Sequence, residues 1–482
     1  MKTRSTLMVS FLFAVITGFA CGGVVDDTPF ALPEITALDP GTPYNKLPQH
    51  DAGMAGLDSG TDARPDAGGL SDGGSADAAA DTDAGGLDAG SGDAGTLECQ
   101  VDLFGSARPG GDLKAGLAVD GEIRADCDAV RYSLVLAKLQ TVTITLWGQS
   151  LYSGLHVYGP GHRGYVMESI KRVRGAVAEV ALTADRAGEY FIVVNHAGRH
   201  GVSPFTVKVE CTDKCELKAS RYPIILVHGF SGFSNIGPLD YFYQVYDKFG
   251  SEGYDIYVAV LDPFNYSEKR GAQLAKVIDD VMAKTWANKV NIIAHSQGGI
   301  DSRYAISGLG YADRVGMLNT ISSPHYGTGI ADCALEDPAV MTLFKVMFAA
   351  VGIVIEGPQM EHDLKASLET MSTENMKQFN LKYPNDPRVR YRSWAGKSCK
   401  SSDSGCPNTI NFFLIPTYNE IFKRKGPNDG IVQSDSGVWG EFQGFLNADH
   451  FQEVGHLFGM TGSFDHLKFY RDVIESTAAL GY

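Results

Sequence analysis

The chain predicts an α/β fold with a mostly parallel sheet, preceded by a small antiparallel β-sandwich and a disordered linker. Three observations predict it. From about Ser220 to the end, β-rich runs alternate with helix-like stretches, the rhythm of a parallel sheet covered on both faces. From about Glu98 to Cys215, the runs alternate apolar and polar residues and are separated by Gly-rich or Pro-rich turns, which favours antiparallel pairing. From about Asp51 to Thr96 there is almost no aromatic or β-branched residue, so that stretch cannot bury enough apolar surface to offset chain entropy. A length of 482 residues agrees with more than one folding unit.

Residues 1–20 read as a signal peptide: Lys2 and Arg4 precede an apolar core from Leu7 to Ala20. The run is short and is followed by a flexible segment, unlike a membrane span. Gly18-Phe19-Ala20-Cys21 resembles a bacterial lipobox, in which the cysteine is acylated and becomes the first residue of the mature protein. Phe19 departs from that pattern, which keeps plain secretion as the alternative to membrane anchoring through Cys21. Either way the protein is exported, as a cell-surface lipoprotein of the outer membrane or a secreted protein. Residues 21–96 read as an acidic tether, with Asp-Ala-Gly recurring at 51, 66, 83, 88 and 93. These intervals lack the strict nonapeptide period of a calcium-binding repeat. Between Gly22 and Thr96, 14 acidic residues stand against two basic ones, so a net −12 falls there out of the chain's −16. The remainder is close to neutral and carries no basic stripe, which excludes nucleic acid as a partner.

Eight cysteines agree with an oxidising compartment. Cys399 and Cys406 flank a Ser, Asp and Gly loop and form the simplest pair; Cys99, Cys127, Cys211 and Cys215 offer two more, and Cys333 is left over. The spacings do not suit zinc. Residues 97–217 form the sandwich. Its order of strand, Ala187-Gly188-Glu189-Tyr190 turn, strand and final Phe205-Thr206-Val207-Lys208-Val209 resembles the bacterial pre-peptidase C-terminal domains, which implies a spacer or a surface-binding module.

Residues 218–482 carry the chemistry. Strands are expected at Pro223 to Val227, Asp255 to Val260, Lys289 to Ala294, Val315 to Ile321 and Val389 to Trp394, and helices at Leu239 to Phe249, Gly271 to Trp286 and Gln297 to Ser307. Val290-Asn291-Ile292-Ile293-Ala294-His295-Ser296-Gln297-Gly298-Gly299 reads as a nucleophile elbow, a strained strand-turn-helix corner that lifts a serine hydroxyl above the sheet. Positions two before and two after that serine need small residues, and Ala294 and Gly298 supply them. Upstream, Tyr222 to Phe230 is a β-branched strand ending in His228-Gly229, as expected of an oxyanion loop. Together these segments point to ester hydrolysis.

These two segments, with Ser302-Arg303-Tyr304 and Ser322-Ser323-Pro324-His325-Tyr326-Gly327, are closely similar to segments of the bacterial family I true lipases, α/β-hydrolases that cleave triacylglycerols. The resemblance runs from about Ala219 to Leu480. A serine hydroxyl needs a histidine to take its proton and a carboxylate to orient that histidine, in the chain order Ser, acid, His in this fold. Pro427-Asn428-Asp429-Gly430-Ile431-Val432 is similar to the family's acid-bearing turn, and Asp449-His450-Phe451-Gln452-Glu453-Val454 to its histidine loop. The resemblance therefore implies Ser296 as nucleophile, Asp429 as orienting carboxylate and His450 as general base. His456 and His466 are the competing histidines and Asp449 the rival acid; adjacent residues rarely face each other, which favours Asp429. The oxyanion donors are expected to be the backbone N–H groups of Phe230 and Gln297.

The apolar run Pro338 to Ile355, interrupted only by Lys345, lies in an insertion at about 332–361, the place of the family's lid. A buried core helix is the competing reading. The family also holds a structural calcium, through an aspartate two residues after the catalytic histidine and another upstream of the acid. Gln452 stands at the first place, and the second region has Cys399, Asp403 and Cys406 with no clear counterpart. No cofactor is expected, the calcium being absent or weak, and a Cys399–Cys406 disulfide takes over the stiffening of that loop. The partner is a lipid or ester substrate at an interface. An esterase or polyester depolymerase of the same fold is the near alternative, and a non-catalytic surface-binding protein the distant one.

Overall fold

The computed structural model describes residues 102–482 except 126, 163–164, 198–200, 232–234, 237–238, 351–357 and 457–458. The signal peptide, Cys21, the acidic tether and positions 351–357 of the insertion therefore lie outside the described residues.

Among the described residues nine strands build the sandwich: β1 (Arg108–Asp112), β2 (Ala118–Ile123), β3 (Ala129–Leu136), β4 (Thr141–Trp147), β5 (Ser153–Tyr158), β6 (Tyr165–Ile170), β7 (Ala178–Thr183), β8 (Gly188–His196) and β9 (Ser203–Asp213). One sheet has the order β1-β3-β8-β5-β6 and the other β2-β9-β4-β7. The period of two decides which side chains enter the core: Tyr132, Leu134 and Leu136 of β3 meet Val142, Ile144 and Leu146 of β4 between the sheets. The other strand pairs of the two sheets are antiparallel as expected, and the pairing is parallel between β1 and β3. Between them the chain passes through β2 in the opposite sheet, and a crossover of that kind, unlike a hairpin, allows parallel neighbours.

The second region is a six-stranded parallel sheet of β10 (Ile224–Val227), β11 (Ile256–Val258), β12 (Val290–His295), β13 (Val315–Ile321), β14 (Arg390–Gly396) and β15 (Glu441–Leu446). Its order is β11-β10-β12-β13-β14-β15. Every residue of β10, β12 and β13 is buried, as befits strands covered on both faces. On one face the helix Ser267–Thr285 packs Leu274, Ile278 and Val281 against Ile225, Val227 and Ile292. On the other the helix His466–Ala479 packs Phe469, Tyr470, Val473 and Ile474 against Leu226, Ile293 and Ile321.

Three helix expectations are adjusted. Leu239–Asp240 pairs with Asn235–Ile236 as a short hairpin, and Gln244, at φ 55°, resets the backbone so that the helix runs only from Val245 to Gly250. The helix after Ser296 stops at Arg303 and loosens into a wider π turn over Tyr304–Gly308. The insertion contains helices Gly329–Glu336, Pro338–Ala350 and Pro358–Thr370, with Pro338 and Pro358 at first helical positions, where a missing N–H costs nothing. Among the described residues no helix is long and apolar enough to cross a membrane.

Disulfides join Cys211 to Cys215 and Cys399 to Cys406, Cys127 is also disulfide-bonded, and Cys333 is a buried free thiol. Sandwich and parallel sheet touch through Arg186, whose guanidinium lies 4.0 Å above the Trp286 ring and donates to the Lys284 carbonyl at 2.7 Å.

Candidate active site

Strand β12 ends at His295, and the next residue, Ser296, has φ 56° and ψ −134°, a strained conformation for a residue with a Cβ. Neighbours over-determine it. The Ser296 N–H donates to the Ile321 carbonyl of β13 at 2.9 Å, and the helix Gln297–Arg303 starts at once. A Cβ on Gly298 would stand 2.7 Å from the carbonyl oxygens of both Val227 and His228, and one on Gly229 2.5 Å from the Ser296 Cβ. The small-residue requirement thus comes from close backbone approach. Gln297 is the first helical residue, so its N–H has no partner within the helix.

The His228-Gly229-Phe230 loop follows β10 and faces this corner. Burial and the Arg270 charge push the His228 imidazole down to about 3, so it is neutral; Nδ1 donates to the Gly229 carbonyl at 3.0 Å and Nε2 accepts from the Leu261 N–H at 3.1 Å. Arg270, fully buried, donates to the carbonyls of His228 (2.9 Å) and Gly229 (3.1 Å) and pairs with Asp301 at 2.8 Å. Because Asp301 sits on the helix after Ser296, one guanidinium fixes the loop to that helix. The Phe230 ring lies 5.0 Å from Phe264 and 6.1 Å from Phe344 of the insertion, whose helix Pro338–Ala350 also buries Val340 in the same cluster.

Asp429 and His450 come from the two loops flanking β15. They are joined: His450 Nδ1 lies 2.8 Å from Asp429 Oδ2, and the His450 N–H donates to the Asp429 carbonyl at 3.0 Å. The other carboxylate oxygen, Oδ1, accepts from the N–H groups of Ile431 (2.8 Å) and Val432 (2.7 Å), which fixes the carboxylate plane. The His450 ring lies 4.4 Å from that of His295, the residue before Ser296. The rival acid faces elsewhere, because Asp449 accepts from the N–H groups of Asn411, Phe451 and Gln452. His466 bonds to the Tyr243 carbonyl, and His456 packs edge-on against Tyr241. Another serine, Ser203, meets the His196 ring of the sandwich at 2.8 Å, in an arrangement that does not suit proton abstraction. There Nδ1 accepts from the Tyr152 N–H, so Nε2 carries the hydrogen and has no lone pair for a serine proton.

Sequence reasoning missed Glu453, Tyr241 and Arg270. Glu453 Oε2 lies 3.0 Å from His295 Nε2 and 4.0 Å from His450 Nδ1, and its Oε1 accepts from the Ser322 hydroxyl at 2.7 Å. Burial raises the Glu453 carboxyl well above its ordinary range, with the Asp429 charge adding to it, and burial lowers His295. The pair is therefore neutral, the carboxyl donating to Nε2. His295 Nδ1 meets the Tyr241 hydroxyl at 2.7 Å, and that hydroxyl accepts the Gly229 N–H at 3.1 Å. Ligand atoms of His295, His450 and Glu453 lie within 4.8 Å of one another. Only a three-dimensional pairing of loops makes these contacts, and Glu453, three residues after His450, was the one local signal.

The family calcium does not fit the donors present. Asn408 Nδ2 points at three oxygens, those of Gln452 Oε1 (2.8 Å), Asn447 (3.0 Å) and Thr461 (3.1 Å), while its Oδ1 accepts the Ser463 N–H at 3.1 Å. Gln452 Nε2 donates to the Thr409 carbonyl at 3.0 Å, and its Oε1 also accepts the Asp449 N–H at 2.9 Å. Oxygens that would face a cation face an amide nitrogen instead.

A parallel sheet with a strained serine corner after a central strand and a carboxylate–imidazole pair from the loops around its edge strand β15 defines an α/β-hydrolase. Comparison with known proteins agrees. Residues 222–389 match the α/β-hydrolase fold family. The chain is 30% identical over 269 residues to a triacylglycerol lipase of Vibrio cholerae, covering 51% of this chain and 83% of the relative. It is 28% identical over 300 residues to a triacylglycerol lipase of Burkholderia plantarii (51% and 82% covered). The crystal structure of Staphylococcus hyicus lipase aligns with TM-score 0.41 and 17% identity over 53% of this chain and 95% of that one. The chain belongs to the bacterial triacylglycerol lipases of the α/β-hydrolase superfamily and is a carboxylic-ester hydrolase.

Proposed function

We propose that Ser296, His450 and Asp429 hydrolyse triacylglycerol esters by a two-step acyl transfer. The observation that carries this reading is the 2.8 Å contact between Asp429 and His450 Nδ1, which leaves Nε2 as the proton acceptor. Ser296 Oγ attacks the ester carbonyl while its proton passes to Nε2. The tetrahedral oxyanion accepts from the N–H groups of Phe230 and Gln297. Collapse breaks the bond to the alkoxy oxygen, which leaves as an alcohol with the proton from His450. Water then repeats the sequence on the acyl-enzyme, releasing a carboxylic acid and restoring Ser296. Loss of one oxyanion donor costs on the order of 10² to 10³ in rate.

The helix Pro338–Ala350 acts as a lid, a reading supported by its apolar composition and its contact with Phe230. The enzyme works without calcium, supported by the amide cross-links of Asn408 and Gln452. Residues 1–20 direct export, with lipid on Cys21 as the anchor and residues 21–96 as the tether; the charged start and lipobox-like cysteine support this. Hydrolysis of emulsified long-chain triglyceride against soluble short-chain esters, for the wild type and Ser296→Ala, tests the assignment. Activity on both substrates that disappears in the variant is expected. Equal activity in both proteins overturns the role of Ser296, and activity confined to soluble esters moves the assignment to esterase.

A further inference from the structure

We infer that the corner between β6 and β7 of the sandwich is a docking surface for a lipid–water interface charged by fatty-acid carboxylates. Val166, Met167, Ile170, Val173 and Val177 are 39% to 68% exposed, and Lys171, Arg172 and Arg174 stand exposed among them. Single exposed apolar residues are ordinary, but this run gathers several beside three cations. Glu168 stands within the run and lies 3.3 Å from His156 Nδ1; beyond it no acidic residue occurs before Glu179, and among the described residues no ion pair engages the three cations.

The corner is built rather than loose. The Lys171 N–H donates to the Ser153 carbonyl at 2.8 Å and the Gly175 N–H to the Leu151 carbonyl at 2.9 Å, while the Ala176 N–H closes a turn on Val173 at 3.1 Å. Gly175, at φ 75°, makes the left-handed step of that turn. Strand β6 is the edge of its sheet and is held by β5 alone, which leaves Val166, Met167 and Ile170 exposed along it. Apolar side chains ringed by Lys and Arg suit the boundary of an anionic lipid layer, where the apolar groups leave water and the cations meet headgroup charge.

The occupant follows from the reaction, and this inference rests on the lipase reading. Each ester cleaved leaves a carboxylic acid, which is ionised at neutral pH and stays in the lipid if its chain is long. An emulsion under hydrolysis therefore becomes anionic, and that charge favours a corner that presents cations and apolar groups together.

The test uses the full chain carrying Ser296→Ala, with phosphatidylcholine vesicles containing oleate or the same mole fraction of methyl oleate. Binding is expected to be tighter to the oleate vesicles and to weaken with salt. Each cation near an anionic surface contributes roughly fivefold, so Lys171→Gln, Arg172→Gln and Arg174→Gln together lower partitioning to oleate vesicles on the order of 100-fold. Val173→Ser lowers it several-fold at unchanged charge. The N terminus is identical in every variant, so anchoring there cancels. Equal binding to both vesicle types, or unchanged binding in the triple variant, overturns the inference; the cations then only shield a sheet edge from aggregation. Binding to phosphatidylglycerol vesicles but not to oleate vesicles also overturns it. Soluble-ester turnover with Ser296 restored is expected to be the same with and without the triple change. Absence of turnover in both would sink the lipase reading while leaving the vesicle result standing.

Discussion

Asn408→Asp replaces a nitrogen that faces three oxygens by a fourth oxygen. Asn408 is 5% exposed, and its Nδ2 contacts lie at 2.8, 3.0 and 3.1 Å. The substitution removes those donated bonds and sets a buried carboxylate against carbonyl and amide oxygens, with only the Ser463 N–H retained. Leaving a buried charge without a partner costs about 3–5 kcal/mol. For a catalytic region of this size, that corresponds to a fall in Tm of about 10 °C. Thermal unfolding followed by circular dichroism, with chelator and with added calcium, reads both halves of the argument. The wild type should melt at the same temperature in both solutions, since the Asn408 amide already cross-links those oxygens. The variant should melt lower, and calcium should return part of the loss by supplying the charge its oxygens now lack. A wild type that gains several degrees with calcium, or a variant within about 1 kcal/mol of the wild type, would refute the reasoning.

Asp429→Asn turns an amide toward His450 Nδ1 while keeping the acceptor for Ile431 and Val432, so the imidazole is held with its hydrogen on Nε2; kcat is expected to fall about 10⁴-fold with little change in stability, and a loss below tenfold in steady-state kinetics would mean that another group orients His450. Gly298→Ala drives a methyl into the Val227 and His228 carbonyls, so kcat on soluble esters should fall at least about 100-fold as the oxyanion loop shifts; wild-type kinetics from a folded variant would contradict the close approach at the elbow. Glu453→Gln keeps the donor toward His295 but cannot ionise. Because burial raises the Glu453 carboxyl, its contribution to stability is complete below the ordinary Glu pKa and is lost as pH rises toward the folded value, by at most about 1.4 kcal/mol per pH unit. Urea unfolding should therefore show the variant gaining on the wild type between pH 5 and pH 8, and parallel pH profiles would count against a neutral Glu453.

What was legible in the sequence was what local spacing encodes. Ala294 and Gly298 around Ser296 carried the elbow because close backbone approach leaves a trace in side-chain size. The alternation of apolar and polar residues in the sandwich strands was likewise visible, since it repeats over neighbouring positions. Contacts made across the fold left no such trace. Arg270 lay just outside the helix expected from Gly271, with nothing in its spacing to mark it, and Glu453 stood in the histidine loop without a role. The parallel pairing of β1 was hidden for the same reason, as strand direction depends on which sheet the intervening segment enters. Gln452 stood out in the sequence, but its bond to Asn408, 44 positions away, left no local trace.

The grip of Arg270 has a practical consequence for anyone reshaping this pocket. Phe230 and Gln297 belong to segments far apart in the chain, yet their spacing is referred to a single planar cation wedged between them. Lengthening or grafting either segment by itself would misalign the pair, whereas transplanting both with Arg270 and Asp301 as a cassette should carry the alignment into a new scaffold.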